Sequence, residues 1–218
     1  MKSTQSHGIQ LPRIPKLVNT DLPKSIKNGT DYSMHSWVNA DFSLQKSTEI
    51  IFEQIRFKRA ILNQLELNNS QLADISIEAS DLSGIAWTKT HLQRVEVINS
   101  RLMGAHFIES RFDDVTFKED NFENTLFISN GLKHSRFQNC NLRNVLFENT
   151  DLSGIIFDKC DLTNANLRGV KLNGTDFRGS VISGMQVDAK DIRGAVIESS
   201  QAVQVVNLLG LIIKEPGE

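Results

Sequence analysis

The sequence is dominated by an apolar residue at every fifth position. Between Tyr32 and Ile197, 33 of the 34 positions at this spacing are apolar, and Ser47 is the exception. Neither a helix nor a strand produces this spacing, because their side chains repeat about every 3.6 and 2 residues. A strict five-residue period predicts a solenoid whose backbone turns a corner once in each repeat.

Glycine and proline follow the same phase. Eight of the nine glycines between residues 32 and 197 lie two residues after an apolar centre, and Gly131 is the exception. This place is predicted to be the corner, where the backbone needs conformational freedom. All four prolines lie outside the run, where no coil needs their missing amide donor.

The residues around each centre form a recurring motif. A small residue often stands two positions before the centre and Asp or Asn directly before it, as in NADFS, CDLTN and TDFRG. These motifs resemble the pentapeptide-repeat family, over about three quarters of the chain. The resemblance implies an all-β solenoid, a right-handed quadrilateral β-helix with four pentapeptides per coil. Residues 20 apart should then stack, which places Phe117, Phe137, Phe157 and Phe177 in one ladder.

The chain is predicted to have three parts. Residues 1–30 are a basic N-terminal leader or cap, residues 31–198 are the β-helix, and residues 199–218 are a C-terminal helix and strand that form a cap or a dimer contact. The first coil is imperfect, because Ser47 occupies a core slot and Gln45 a small-residue slot. We expect this coil to be frayed.

The C-terminal part changes from the five-residue period to helical spacing, with apolar residues at Ala202, Val205, Val206 and Leu209. Ser199 or Ser200 is the expected N-cap and Gly210 the expected C-terminal stop. A short strand is predicted at 211–213. An amphipathic helix across an open solenoid end would cover its core and its unpaired edges.

Three kinds of polar exception fall in the inward small-residue slots. Asp120 should accept hydrogen bonds from backbone amides at a corner, although a bound partner group is an alternative. Cys140 and Cys160 should stack on adjacent coils, as a reduced pair or as a disulfide. Asn130 and Lys190 are similar exceptions, and Lys190 is close enough to the end to reach water.

The sequence contains no constellation for catalysis. The histidines of the repeat do not stack on one another, no phosphate-binding glycine motif occurs, and the repeat glycines are explained as corners. We therefore expect no enzymatic activity, no metal and no cofactor. The net charge of −2 and the absence of an apolar leader favour a cytoplasmic protein that binds neither nucleic acid directly nor a membrane.

Function is therefore expected on the outer surface. Resemblance to the Qnr and MfpA types of pentapeptide-repeat protein implies binding to DNA gyrase or topoisomerase IV through mimicry of duplex DNA. The partner-binding residues would be Asp113, Asp114, Glu119 and Glu123, in a segment (105–125) of charge −4. The alternative is a structural or regulatory scaffold with an unrelated protein partner. A continuous negative face would favour mimicry, and a patchwork of charges would favour the scaffold.

The same resemblance implies a homodimer joined through the C-terminal end. The residues that would form the dimer contact, or otherwise a plain cap, are Val205, Leu208, Leu209, Leu211 and Ile213.

Overall fold

A computed structural model describes residues 8–17, 22–208, 210–212 and 214. Short strands follow one another along the chain and give way to turns after residue 158. They are β1 (Asp31–Ser33), β2 (Ser36–Val38), β3 (Lys46–Thr48), β4 (Ile51–Lys58), β5 (Glu66–Asn68), β6 (Gln71–Glu78), β7 (Ala86–Thr88), β8 (His91–Ile98), β9 (His106–Ile108), β10 (Arg111–Lys118), β11 (Leu126–Ile128), β12 (Gly131–Lys133), β13 (Arg136–Gln138), β14 (Leu146–Glu148) and β15 (Ile156–Asp158). A 3-10 turn (Ser199–Gln201) leads into one helix, α1 (Ala202–Leu208). Among the described residues, no helix has the length and apolar character needed to span a membrane.

All strand pairs are parallel and join residues 20 apart. The register begins with Asp31 opposite Ile51 and continues through isolated bridges to Asp176 opposite Val196. One sheet has nine strands, and the other has the six strands β3, β5, β7, β9, β11 and β14 in adjacent coils. The predicted solenoid with 20 residues per coil is confirmed, because residues of the same phase pair along the whole body.

Four walls surround the core, one for each pentapeptide of a coil. We name them by their central residues: wall A contains Phe112, wall B Phe117, wall C Phe122 and wall D Phe127, together with the residues 20 apart from each. The nine-stranded sheet covers walls A and B, and the six-stranded sheet covers wall D. Wall C consists of tight turns, in which an amide such as that of Leu65 donates to the carbonyl of the wall's central residue, Leu62, at 3.0 Å.

The corners lie where the glycine phase predicted them. Each of the eight phased glycines has a positive φ, between 64° and 77°, whereas Gly131 is absent from this set. Most other corners hold a non-glycine residue in the same left-handed region, for example Leu44 at φ 60°. The interstrand hydrogen bonds on both sides of a corner therefore impose a conformation that most L residues disfavour.

The core consists of stacked aromatic ladders. Phe117, Phe137, Phe157 and Phe177 stack with ring centroids 5.0, 5.1 and 5.3 Å apart. A second ladder on wall D contains Phe107, Phe127 and Phe147, with spacings of 4.9 and 4.7 Å. All of these rings are fully buried, so each contributes a large hydrophobic stabilisation. The predicted phenylalanine ladders are confirmed.

The first coil is bonded to the chain that precedes it, and the prediction that this coil is frayed is wrong. The Ser47 hydroxyl donates to the carbonyl of Ile26 at 3.0 Å, and the Gln45 side-chain oxygen accepts from the Ile26 amide at 2.9 Å. Ile26 itself is 6% exposed and belongs to the core. Ser47 and Gln45, which break the repeat, thus bind the preceding segment through their polar side chains.

The C-terminal helix closes the last coil through a polar contact that sequence reasoning missed. The buried Gln201 side chain donates to the carbonyls of Phe177 and Ser180 at 2.8 and 2.7 Å. Its oxygen accepts from the amide of Glu198, which is the N-cap in place of the expected Ser199 or Ser200. Gly210 ends the helix as predicted, with φ 75° and its amide bonded to the Asn207 carbonyl at 3.0 Å.

One residue of the predicted apolar stripe of α1 is exposed. Val205 and Leu208 pack against the core and Val206 is half-buried, whereas Ala202 is exposed. Leu211 and Ile212 are not in a strand and are 59% and 83% exposed. The predicted contact residues Leu209 and Ile213 lie outside the described residues.

Candidate partner-binding surface

The four predicted partner-binding residues lie on different parts of the rod. Asp113 is on wall A, Asp114 is at the corner between walls A and B, Glu119 is at the corner between walls B and C, and Glu123 is on wall C. A segment of 11 residues in a solenoid with five-residue sides must pass around more than one wall. The structure therefore does not bring the four carboxylates together on one face.

Two of these carboxylates already have partners. Asp113 lies 2.8 Å from His91 Nε2 and 3.8 Å from Arg111. Asp114 has a side chain only 12% exposed, and it accepts a hydrogen bond from the backbone amide of Gln10 at 3.1 Å. Glu119 is 51% exposed and has one looser contact, to Lys118 at 3.8 Å. Glu119 and the half-buried Glu123 are consequently the more accessible members of the predicted set.

A polar ladder at the corner between walls A and B was missed by sequence reasoning. We call it the corner column, and its members are Gln54, Asp74, Arg94, Asp114 and His134. Each stands two residues after a wall A centre, so a search for residues 20 apart in this phase would have found them. The two aspartates alternate with Gln54, Arg94 and His134 along the column. His134 Nδ1 lies 3.9 Å from Asp114.

Asp74 and Arg94 form the best-ordered pair of the column. Arg94 Nε and Nη2 each donate to one carboxylate oxygen of Asp74, both at 2.7 Å. The two side chains are only 6% and 16% exposed. The hydrogen bonds from Arg94 hold the pKa of Asp74 below its usual value, although burial opposes this shift. Asp74 is therefore a fixed, ionised acceptor on the outside of the rod.

Residues 8–17, which we call the docked segment, lie along the corner column. The amide of Arg13 donates to Asp74 at 2.8 Å, and the amide of Gln10 donates to Asp114. The carbonyl of Arg13 accepts from the Gln54 side chain at 3.3 Å. Three extended residues span about 10 Å, which is the distance across two coils of about 4.8 Å each. The docked segment therefore runs along the rod axis. Its amide bonds reach Asp74 and Asp114, two coils apart, and its carbonyl bond reaches Gln54 in the coil next to Asp74.

A shallow groove continues from this contact onto wall B. Ile9 and Leu11 of the docked segment line it from one side, and Thr116, Arg136 and Gln138 line it from the rod. Leu11 remains 61% exposed, whereas Ile9, Pro12 and Ile14 are half-buried.

The inward polar exceptions are satisfied within the core. Asp120 is 2% exposed and accepts hydrogen bonds from the amides of Ser100 and Lys118 at 2.7 and 3.0 Å, as predicted for a corner carboxylate. Burial raises its pKa to about 7, against the lowering effect of these two amides. Asn130 makes the neutral version of this contact, accepting from the Ser110 amide and donating to the Phe107 carbonyl, both at 2.8 Å. As predicted for its place near the end of the rod, Lys190 is exposed.

Cys140 and Cys160 are both buried free thiols on adjacent coils. Cys140 Sγ lies 3.5 and 3.4 Å from the carbonyls of Phe117 and Gln138. Hydrogen bonding to Cys160, together with burial, raises the pKa of the Cys140 thiol, so that its reactive thiolate form is disfavoured. Within the described ranges, no group of three or more His, Cys, Asp or Glu side chains is arranged to hold a metal ion.

The outer surface is a patchwork of charges. Most ion pairs join residues of adjacent coils, such as Lys46 with Glu66 at 2.8 Å on wall D and Lys58 with Glu78 at 3.1 Å on wall B. On wall C, Arg143 lies 3.2 Å from Asp161. Acidic and basic side chains therefore alternate along the rod axis on several walls, instead of forming one continuous negative face.

This geometry defines the class of protein as a parallel β-solenoid built from five-residue units, with its polar groups on the outer walls. Residues 100–177 match the family model described as "Pentapeptide repeat region". Residues 100–177 thus belong to a pentapeptide-repeat region, and the 20-residue register of the structure extends beyond it on both sides.

Several solved structures are similar to this chain. The full-length structure of QnrB1, a plasmid-mediated fluoroquinolone resistance protein, is 14% identical, with a TM-score of 0.41, and the match covers 84% of this chain and 100% of QnrB1. HetL, a pentapeptide-repeat protein involved in heterocyst differentiation regulation in the cyanobacterium Nostoc sp. strain PCC 7120, is 16% identical, with a TM-score of 0.34 and coverages of 78% and 87%. No curated protein matches the chain.

Proposed function

We propose that this protein is a non-enzymatic scaffold of the cytoplasm that binds a protein partner through its outer walls. The observation that carries the proposal is the alternation of acidic and basic side chains along the rod. Duplex DNA presents one negative charge about every 1.7 Å, so a mimic of DNA needs a continuous run of one sign. A patchwork of both signs instead suits recognition of one specific protein surface, since complementary charges mainly provide specificity.

DNA gyrase or topoisomerase IV is the named partner to be tested first. The support for this choice is the acidic segment 105–125, in which Glu119 and Glu123 remain accessible. Asp113 and Asp114 are less suitable contact residues, because their carboxylates are already engaged by His91 and by the docked segment. In this hypothesis the contact is made at the corner between walls B and C.

We further propose that the scaffold is a homodimer joined at its C-terminal end. Val205 and Leu208 are used in covering the core of the last coil. Leu211 and Ile212 remain largely exposed, as does Val203 at 57%. A two-fold contact between two such ends would bury these apolar side chains. Sedimentation of the wild type beside Leu211→Asp, Ile212→Asp would test this contact, and a wild-type monomer at micromolar concentration would contradict it.

The test of the partner combines a supercoiling assay with mapping of the contact. Purified gyrase is titrated with three proteins: the wild type, a double variant that carries both Glu119→Lys and Glu123→Lys, and the control Glu148→Lys. The control reverses an exposed charge on wall D. If gyrase is the partner, the wild type and the control alter supercoiling at micromolar concentration, and the double reversal loses the effect. The topoisomerase hypothesis is rejected if the wild type has no effect.

The scaffold hypothesis has a separate readout. Chemical cross-linking of the protein in cell extract, followed by mass spectrometry, should recover one stoichiometric protein partner linked to wall residues. The same link should weaken when charges on the contacted wall are reversed and persist when those of another wall are reversed. The proposal is contradicted if this protein is recovered without specific cross-links to a partner.

A further inference from the structure

The corner column holds a polypeptide chain by contacts that do not depend on its side chains. All three hydrogen bonds to the docked segment use its backbone: the amides of Gln10 and Arg13 and the carbonyl of Arg13. The rod provides the matching groups from the side chains of Asp114, Asp74 and Gln54. An extended segment of another protein can therefore make the same bonds, provided that two of its amides are three residues apart.

One acceptor is held in place by the rod itself. Asp74 receives two hydrogen bonds from Arg94, both at 2.7 Å. Asp114 lies 3.9 Å from His134 and near the positive charge of Arg94. A binding group that is already oriented loses less entropy when a ligand binds. The Asp74 carboxylate would therefore keep its orientation toward a bound chain if the docked segment left.

Charge defines the chemistry of the segment that fits best. The backbone hydrogen bond and the positive charge of Arg13 both contribute to lowering the pKa of Asp74. The guanidinium of Arg13 bonds only within its own segment among the contacts seen, to Gln10 Oε1 at 2.8 Å. A lysine or arginine at this place in a partner would therefore serve as well.

We propose that the corner column is a docking site for an extended, positively charged segment of a partner protein, and that residues 8–17 occupy this site as a built-in competitor. The inference rests on the proposed scaffold function and adds to it the place of binding and its regulation. Because the competitor is tethered to the rod, it has a high effective concentration, and a free segment competes poorly until the tether is released.

The test releases the tether without removing any part of the chain. Residues 18–21, which connect the docked segment to Leu22 in the sequence, are replaced by the recognition site of a specific protease. A fluorescent peptide with the sequence of residues 8–17 is then added to the full chain before and after cleavage, and binding is followed by fluorescence anisotropy. We expect saturable binding to the cleaved protein and at least tenfold weaker binding to the uncleaved protein.

Two controls isolate the proposed contacts. A peptide methylated on the backbone nitrogens of the residues equivalent to Gln10 and Arg13 has the same side chains but cannot donate to Asp114 and Asp74, and it should bind at least tenfold more weakly. Asp74→Asn in the cleaved protein should also weaken binding at least tenfold. Asp81→Asn is the matched control, because Asp81 likewise lies near an arginine of the adjacent coil, Arg101 at 3.7 Å, but on wall C.

Equal binding of the methylated and unmethylated peptides, or an unchanged affinity in Asp74→Asn with an intact melting transition, would overturn the proposal. Dimers of the uncleaved protein that dissociate on addition of the peptide would also overturn it, because the occupant would then be the segment of a second copy. The peptide assay needs neither gyrase nor any natural partner. If the peptide assay fails, the scaffold function can still be carried by another wall. If the cross-linking experiment fails, the outcome of the peptide assay is unchanged.

Discussion

Asp120 should make the stability of this protein depend on pH in the neutral range. Its carboxyl group is buried in the inward ladder between Ser100 and Cys140 of the two adjacent coils. Its pKa is raised from 3.8 to about 7, mainly by burial. In the unfolded chain the same group titrates near its ordinary value. Since one pKa unit corresponds to about 1.4 kcal/mol, ionised Asp120 in the folded state costs about 4 kcal/mol of stability relative to the protonated form.

The direction follows from which state holds the proton. Below a pH of about 4 the carboxyl group is protonated in both states, and its full contribution to stability is present. Between about pH 4 and pH 7 the folded protein holds one proton more than the unfolded chain, so the free energy of unfolding falls by about 1.4 kcal/mol per pH unit. Above about pH 7 both states are ionised and this dependence ends.

Asp120→Asn removes the titration while keeping the shape of the side chain. The asparagine oxygen can still accept from the Ser100 amide, as Asn130 does from the Ser110 amide at the equivalent place two walls further on. We expect the variant to gain stability relative to wild type as the pH rises from 4.5 to 7.5, by up to about 4 kcal/mol. The measurement is urea unfolding of both proteins at several pH values, with the difference in free energy plotted against pH.

Asn130→Asp is the reciprocal control. An ionised carboxylate there would face the Phe107 carbonyl, to which the Asn130 amide now donates at 2.8 Å. This variant should therefore acquire a steeper loss of stability with rising pH than wild type. If the difference between Asp120→Asn and wild type is the same at pH 4.5 and at pH 7.5, Asp120 keeps its charge throughout, and the reasoning from burial is refuted.

Three substitutions test the rules that build the rod, the first two by chemical unfolding and the third by amide exchange. Phe137→Ala removes a ring stacked between Phe117 and Phe157 and should cost about 3–5 kcal/mol; a loss below about 1 kcal/mol would contradict the ladder. Leu44→Gly removes the strain of a leucine whose backbone is in the left-handed region and whose side chain is 66% exposed, so it should stabilise the fold by about 1 kcal/mol. The control Ile61→Gly, at a bridge position without positive φ, should destabilise the fold. Ser47→Leu restores the repeat but removes the hydroxyl bonded to Ile26, so amide exchange in residues 22–30 should speed up; unchanged exchange would mean that Ser47 does not hold this segment.

The features that repeat every five residues could be predicted from the sequence alone. One apolar side chain per repeat specifies which residues enter the core, and glycine at a constant place in the repeat marks the corner. The register of 20 residues, and with it the stacking of the phenylalanines, was instead implied by the resemblance to the pentapeptide-repeat family, which has four repeats per coil. The exceptions Asn130 and Asp120 were also recognisable as inward polar groups.

Features without this period could not be predicted in the same way. The turn before α1 is attached to the last coil by Gln201, a polar residue that hydrophobic spacing ignores. The exposure of Asp113 and Asp114 depends on His91 and on the docked segment, neither of which belongs to the acidic stretch.

The sequence by itself determined the solenoid, its core and its corners, because each depends on the five-residue pattern, and its resemblance to a known family implied the coil length. Only the tertiary structure decided what the outer surface carries. The hydrogen bonds of the docked segment join residues 61 and 104 positions apart in the chain. Gln10 and Arg13 do not share the five-residue phase of Asp114 and Asp74. They meet these aspartates only because coiling stacks Asp74 and Asp114 along one corner, where the docked segment lies across them.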